Sequence, residues 1–320
     1  MKTLIVGGAG FIGSHFADRL LSEEGEEVWL YDNFSSGREW HYEQHLENRW
    51  FKLVRGHVED LPRLIDAMSG ANRVIHVASN PDIARAMSDP TIDFHQGTAL
   101  TSNVLEAARI SGVKEILYAS GSGVYGDIGE VEAQEDRGPL CPTSPYGASK
   151  LAGEAMLSAY SSMFGIQASA FRFGNVVGPR QTHGVGFDFV RRLRRNPAEL
   201  DILGDGRQSK SYVHVSDVVS AVLRMSSTRQ EDYEVFNVAT GDYITVSQIA
   251  EIAIAVLGLE LERVNLKYTG GDRGWKGDVP VVRLDVHRIR ERGWSCALTS
   301  SDALRSAMES MVHDDELGRL

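Results

Sequence analysis

The sequence predicts an α/β protein: a doubly wound parallel sheet forms the larger domain, and a smaller α/β lobe follows it. Three observations predict this class. Short apolar runs alternate with segments whose apolar residues recur at helical spacing from Leu4 to Ser120. A glycine-rich turn joins the first run to the first helix, and glycine and proline return at Val177-Gly178-Pro179-Arg180, where that alternation breaks. At 320 residues and 42% hydrophobic composition, the chain can bury one large core and a smaller one.

Taken in order, Leu4–Val6 reads as a buried strand, Ile12–Leu21 as a helix and Glu27–Tyr31 as a second strand. A strand at Phe51–Arg55, a helix at Leu61–Met68, a strand at Arg73–Val77, a helix from about Thr91 to Ser111 and a strand at Glu115–Ser120 follow. Parallel strands joined in this way carry their helices on both faces of the sheet. Between Gly121 and Pro145 Gly, Pro, Asp and Glu dominate, which predicts a surface loop carrying function. A helix from Pro145 or Tyr146 to Phe164 and a strand at Gln167–Arg172 come next. Val235–Val238 is expected to return to the large sheet, and the polar tail His313–Leu320 to fray. The expected division is 1–175 for the larger domain, with about 213–239 returning to it, and 176–212 with 240–320 for the smaller lobe.

A formal net charge of -11 argues against a nucleic-acid partner, which needs cations gathered on one face. A small phosphorylated ligand stays compatible, because backbone amides can hold it. Cys141 and Cys296 lie far apart and no Cys or His spacing suits zinc, so no metal is expected. No apolar stretch approaches the roughly 18 residues of a membrane span, and the apolar run after Lys2 is too short for a signal peptide. A reduced, cytoplasmic protein with no membrane partner is the expectation.

Gly7, Gly10 and Gly13 lie between the first strand and its helix, and Gly8, Gly10 and Gly13 also spell G-x-G-x-x-G. Such glycines permit a tight turn, let backbone approach a pyrophosphate, and let helix and strand pack closely. Asp32 closes the second strand, where a carboxylate can bind both adenosine ribose hydroxyls and repel a 2'-phosphate. In that context the turn predicts a Rossmann-type dinucleotide site that prefers NAD to NADP, with Asn33, Ser35, Ser36 and Gly37 at the adenosine end. Arg38 reads as a solvated loop cation.

Tyr146 and Lys150 are one helical turn apart on one face of a predicted helix. A nearby ammonium favours the phenolate of a tyrosine whose ordinary pKa is near 10. Tyr146 can then take a proton from a sugar hydroxyl and return one to a carbonyl. The spacing alone is common in ordinary helices. After a dinucleotide turn, and beyond a strand ending Ser120-Gly121-Ser122, it points to chemistry.

These motifs resemble the extended short-chain dehydrogenase/reductases, the NAD-dependent epimerase/dehydratase family, and within it the UDP-sugar 4-epimerases. The resemblance covers nearly the whole chain. It is carried by Gly7-Gly8-Ala9-Gly10-Phe11-Ile12-Gly13, Asp32-Asn33, Val124-Tyr125-Gly126, Ser144-Pro145-Tyr146-Gly147-Ala148-Ser149-Lys150, Arg172-Phe173-Gly174-Asn175, Val177-Gly178-Pro179-Arg180, Leu203-Gly204-Asp205-Gly206 and Tyr212-Val213-His214-Val215-Ser216-Asp217. It implies tightly held NAD that takes hydride from sugar C4, a 4-keto intermediate that turns over, and hydride returned to the other face. For the cofactor it implies contacts from Phe11, Ile12, His57, Val58, Val77, Ala78, Ser79, Phe173 and Val176, besides the glycines, Tyr146 and Lys150. For the nucleotide diphosphate it implies Asn175, Gly206, Gln208, Lys210, Tyr212, Arg273 and Asp278, and for the quaternary state a homodimer through helices near Thr98–Ser111 and Tyr146–Phe164. Lys210 stands where an arginine is usual, which turns a bidentate phosphate contact into a point charge.

Three positions depart from the pattern. Gly121 stands where a Ser or Thr usually bonds the reacting oxygen; Ser122 is the favoured substitute, with Ser120 beside it. His57 replaces a usual Asp, and Gly97 a usual Asn near the cofactor. The resemblance further implies that 4,6-dehydratases and decarboxylating relatives carry a carboxylate just before Val-Tyr-Gly, where this chain has Ser122-Gly123. The expected reaction is inversion at C4 of UDP-glucose/UDP-galactose or UDP-glucuronate/UDP-galacturonate, for the latter with Ser122, Thr182, Arg180 or His183 as donors to the carboxylate. A net-redox nucleotide-sugar reductase or dehydrogenase and a non-catalytic NAD-sensing protein are the alternatives. The run Arg191, Arg192, Arg194 and Arg195 reads as a solvated helix face, His76 as a hydrogen-bonded core histidine, and Trp275 as part of a nucleotide pocket or a loop anchor.

Overall fold

The computed structural model describes residues 1–319; Leu320, the end of the tail expected to fray, lies outside the described residues. The strands of the main sheet are β1 (Lys2–Val6), β2 (Glu27–Asp32), β3 (Phe51–Arg55), β4 (Arg73–His76), β5 (Glu115–Gly121) and β6 (Gln167–Phe173). Between them run α1 (Phe11–Leu21), α2 (Leu61–Met68), α3 (Leu100–Ser111) and α4 (Pro145–Phe164). Beyond β6 come β7 (Asn175–Val177), α5 (Val185–Arg195), β8 (Glu199–Ile202), β9 (Ser209–Lys210), β10 (Tyr212–His214), α6 (Val215–Ser227) and β11 (Tyr233–Val238). The chain continues through β12 (Ile244–Thr245), α7 (Val246–Val256), β13 (Asn265–Tyr268), α8 (His287–Glu291) and α9 (Ser300–Glu316).

Seven strands form one sheet in the order β11-β6-β5-β4-β1-β2-β3, so β11 does join the large sheet, at its edge. Strand β1 pairs in parallel with β2 and with β4, and β4 with β5, a Rossmann-like order that brings the carboxyl ends of Val6, His76 and Asp32 to one edge. These strands are buried on both faces and are accordingly rich in Val, Ile and Leu.

The chain divides into two compact units. The first comprises Met1–Val124, Pro145–Arg172 and Val222–Phe236, and its core includes Leu4, Val6, Tyr31, Val74, Val104, Ile116 and Leu157. The second comprises Tyr125–Ser144, Phe173–Ala221 and the chain from Asn237 onward, with a core of Phe187, Phe189, Leu193, Leu200, Ile249, Leu304 and Met308. The loop 125–144 and the residues 213–221 thus group with the second unit.

One element reading is refined and one needs correction. The helix expected from about Thr91 opens with a π-helical turn, Phe94–Ala99, before α3 begins at Leu100. Gly97 in that turn lies so close to α4 that an added Cβ would meet the Ser149 hydroxyl oxygen at 2.5 Å, so the approach depends on the missing side chain. The tail does not fray at His313: α9 continues to Glu316, because Met311 is core and Arg194 of α5 pairs with Asp315 and Glu316.

Candidate active site

The glycine turn closes against β4 because it lacks side chains. Gly7 has φ +84°, and a Cβ on it would stand 2.7 Å from the Ala78 nitrogen. Ala78 N–H and Val77 N–H both donate to the Val6 carbonyl, at 2.9 and 3.0 Å, which fixes that approach. A Cβ on Gly13 would collide with the Gly7 carbonyl oxygen. Helix α1 starts at an N-cap glycine, Gly10, which gives it no side-chain cap and leaves its first N–H groups to an anion.

Asp32 ends β2 with its carboxylate accepting Ala9 N–H at 2.9 Å and Phe34 N–H at 2.7 Å. Burial pushes its pKa up, and those backbone donors oppose the rise. The carboxylate therefore also fastens the glycine turn, and its remaining lone pairs suit ribose hydroxyls. Arg38 is turned onto its own loop, donating to the Ser36 and Gly37 carbonyls, both at 3.2 Å. Asn33 accepts Ser35 N–H at 3.0 Å, Gly37 packs on Ala9, Val58 is buried, and His57 is largely exposed. This cradle of uncapped helix, tight turn and strand-end carboxylate fits NAD.

Tyr146 and Lys150 occupy the first turns of α4. Lys150 is buried; its ammonium donates to the Ala119 carbonyl at 2.8 Å and lies 5.4 Å from the centre of the Tyr146 ring. Burial lowers its pKa to about 8, and the Asp93 carboxylate opposes that fall. Burial pushes half-buried Tyr146 up to about 12; a hydrogen bond from Ser79 works the other way, and Asp93 adds to the rise. At rest the pair is a phenol beside a readily discharged ammonium. A phenolate needs further positive charge next to it.

The strand end beside this pair divides its two serines. The Ser120 hydroxyl is buried and donates to Glu154 Oε1 at 2.5 Å, and Glu154 is gripped by Arg172 through Nε at 3.0 Å and NH2 at 2.7 Å. Ser122 opens a short 3-10 turn, half-buried, and no partner among the described residues holds its hydroxyl. A Cβ at Gly121 would meet nothing within 4 Å, so packing does not demand a glycine there.

In the second unit, β7 and β10 pair in parallel with Asn175 opposite Tyr212 and Val176 opposite Val213. Buried Tyr212 has its hydroxyl pushed up by burial, and Phe173 is buried as well. Lys210 Nζ donates to Asp278 Oδ1 at 2.6 Å. Arg273 donates to the Asp278 carbonyl at 3.0 Å and to Asp127 Oδ2 at 2.7 Å. Gln208 is buried, donates to the Leu203 carbonyl at 3.2 Å, and leaves Oε1 without a partner among the described residues. Gly206 sits at φ +80°, where a Cβ would strike the Tyr268 ring at 2.5 Å. Residues expected to hold a nucleotide diphosphate thus gather as a group, with the cations already paired to carboxylates.

Residues 3–239 match the NAD dependent epimerase/dehydratase family. The chain belongs to that family. This family member is 32% identical to the UDP-glucose 4-epimerase of Mycolicibacterium smegmatis over 97% of its own length and 98% of the relative's. Among solved structures it is similar to a UDP-galactose 4-epimerase (35% identity, TM-score 0.85, covering 98% of this chain and 99% of the other). It is also similar to MoeE5 in complex with UDP-glucuronic acid and NAD (27% identity, TM-score 0.85, covering 98% and 100%).

The epimerase/dehydratase core also contains groups that motif spacing did not reveal. Asp93 and Asn80 are buried, with Asn80 Nδ2 donating to Asp93 Oδ1 at 2.9 Å. Asp93 lies in the helix expected from about Thr91 to Ser111, where no motif marks it. His76 accepts or donates at 3.0 Å to Thr101 Oγ1 and is pushed down to about 3 by burial, a neutral core histidine. Arg192 and Arg194 are tied to the Asp201 carbonyl and to Asp315, and Gly277 packs on the Trp275 ring. Among the described residues no cluster suits a metal ion, and no helix is long and apolar enough to cross a membrane.

Proposed function

We propose that this enzyme is an NAD-dependent 4-epimerase that inverts C4 of a UDP-hexose or UDP-hexuronate through a 4-keto intermediate. The observation that carries the reading is the pairing of Tyr146 with Lys150 beside a strand end, Gly121-Ser122-Gly123, that offers no carboxylate. Dehydration or decarboxylation must move protons at C5, which needs an acid–base group there; inversion at C4 needs only one proton acceptor at the hydroxyl. NAD, when bound, takes up hydride from C4 and gives it back. Tyr146 accepts the C4 hydroxyl proton as the carbonyl forms and returns a proton when the carbonyl is reduced. Lys150 lowers the cost of the phenolate, and Ser122 donates a hydrogen bond to the reacting oxygen.

In the second unit, Lys210, Arg273, Gln208, Gly206, Tyr212, Asn175 and Asp278 are read as the nucleotide diphosphate site. Both a neutral hexose and a hexuronate fit this reading, since the open space at Gly121 leaves room at C6. Helices α3 and α4, which expose Ile110, Met163 and Phe164, are read as a homodimer face.

The test incubates purified protein with UDP-glucose and with UDP-glucuronate, without added NAD, and resolves the C4 epimers. Interconversion of one pair without net NADH is expected; conversion of neither overturns the proposed reaction. Ser122→Ala is expected to cost more rate than Ser120→Ala, and the reverse order would reassign the hydroxyl donor.

A further inference from the structure

Asp93 is 1% exposed, and its Oδ1 accepts the Asn80 amide, while Oδ2 is buried with no hydrogen-bond partner. A buried carboxylate with an unfilled oxygen is costly unless a countercharge stands near. Burial raises the Asp93 pKa, and the Asn80 hydrogen bond and then the Lys150 charge oppose that rise; burial lowers the Lys150 pKa, and the Asp93 charge opposes that fall. The backbone brings them together. The π-helical turn that follows Asp93 docks against α4 through Gly97, whose missing Cβ leaves Ser149, the neighbour of Lys150, in direct contact with the turn. An ammonium has three protons to place, and Ala119 takes one.

We infer that Asp93 is a positioning residue, the charge partner that keeps the buried Lys150 ammonium protonated and directed at Tyr146. The other titratable groups facing the lysine are Tyr146 on its own helix, Tyr118 from β5 with its ring 5.2 Å away, and His76 from β4, which is neutral; Asp89 also faces Asp93. None of them offsets the burial of Lys150. Burial is the main cause of the raised Tyr146 pKa, and the same carboxylate adds to that rise, so both favour the phenol over the phenolate. The consequence for turnover rests on the proposed role of Tyr146 and Lys150; the pairing itself does not.

The pairing is tested without substrate, by NMR titration of protein carrying ¹³Cε-lysine, with the Lys150 resonance assigned by its loss in Lys150→Met. It is expected to titrate near pH 8 in the native protein and about one pH unit lower or more in Asp93→Asn. Reciprocity requires that Lys150→Met raise the titration of the Asp93 carboxyl, followed with ¹³Cγ-aspartate, by a comparable interval. An unmoved Lys150 in folded Asp93→Asn overturns the inference. If Asp93→Asn does not fold, an unmoved Asp93 in Lys150→Met does so instead. In the epimerase assay, the alkaline limb of the pH–rate profile should move down by the same interval in Asp93→Asn. Absence of epimerase activity in the native protein would overturn the proposed reaction and leave the titrations to decide the pairing.

Discussion

The Tyr146–Lys150 pair in the first unit and the cation cluster in the second handle charge in opposite ways. Around Tyr146 and Lys150, burial dominates: it pushes the phenol up and pulls the ammonium down, and the one carboxylate, Asp93, opposes the fall of the ammonium while adding to the rise of the phenol. Around Lys210 and Arg273, each cation meets a carboxylate at 2.6–2.7 Å. The first arrangement makes proton affinity adjustable by whatever charge arrives next. The second makes a cluster that an incoming anion joins in competition with Asp278 and Asp127, which favours selectivity over raw affinity.

The largest expected effect tests the first half of that contrast. Tyr146→Phe should lower kcat by about 10³-fold while NAD stays bound, read by epimer resolution and by cofactor content after gel filtration. Retained turnover would remove Tyr146 from the chemistry. Next in size is an effect of burial on stability. His76 has a folded pKa of about 3 against an ordinary 6.5, so its unfolded state binds a proton that the folded state refuses. Its contribution is complete above about pH 6.5 and falls away as pH drops toward 3, by up to about 1.4 kcal/mol per pH unit. Denaturant titrations of His76→Gln should lack that portion of the slope; an unchanged slope would show that His76 does not govern it.

The second half of the contrast predicts a binding effect. Lys210→Met should raise KM about tenfold with kcat within about twofold, the size of one lost charge-assisted hydrogen bond. A fall in kcat instead would place Lys210 in the chemical step. The smallest effect concerns Gly121, where a Cβ has open space. With Ser122 already donating to the reacting oxygen, Gly121→Ser should leave kcat within about twofold; a rise of about 2- to 10-fold would mean that the oxygen lacked a donor and that Ser122 does not fill the role.

Much of this was legible because the signals are local. The glycine turn, Asp32 at a strand end and a Tyr–Lys pair one turn apart each require only a few residues of chain and the alternation around them. Segments whose conformation is set by distant packing were not. The π-helical turn depends on how Gly97 meets Ser149, and the helical character of His313–Glu316 depends on Arg194. Flanking glycines favour Ser122 over Ser120 in the sequence, but only the structure shows the buried Glu154–Arg172 pair that engages the Ser120 hydroxyl. Asp93 carried no motif; its importance arises from an unfilled oxygen, which no spacing records.

The π-helical turn Phe94–Ala99 also sets a phase. Such a turn holds one residue more than an α-helical turn, so it offsets everything before it from everything after it by roughly 100° about the helix axis. The stretch therefore serves two demands in different phases: α3 keeps Val104, Leu105 and Ala108 in the core, while Asp93, before the turn, is buried and bonded to Asn80. Deleting one residue between 94 and 99 should leave a well-formed, well-packed helix whose carboxylate faces away from the lysine. The extra residue works as a clutch between the hydrophobic face of the helix and its charge.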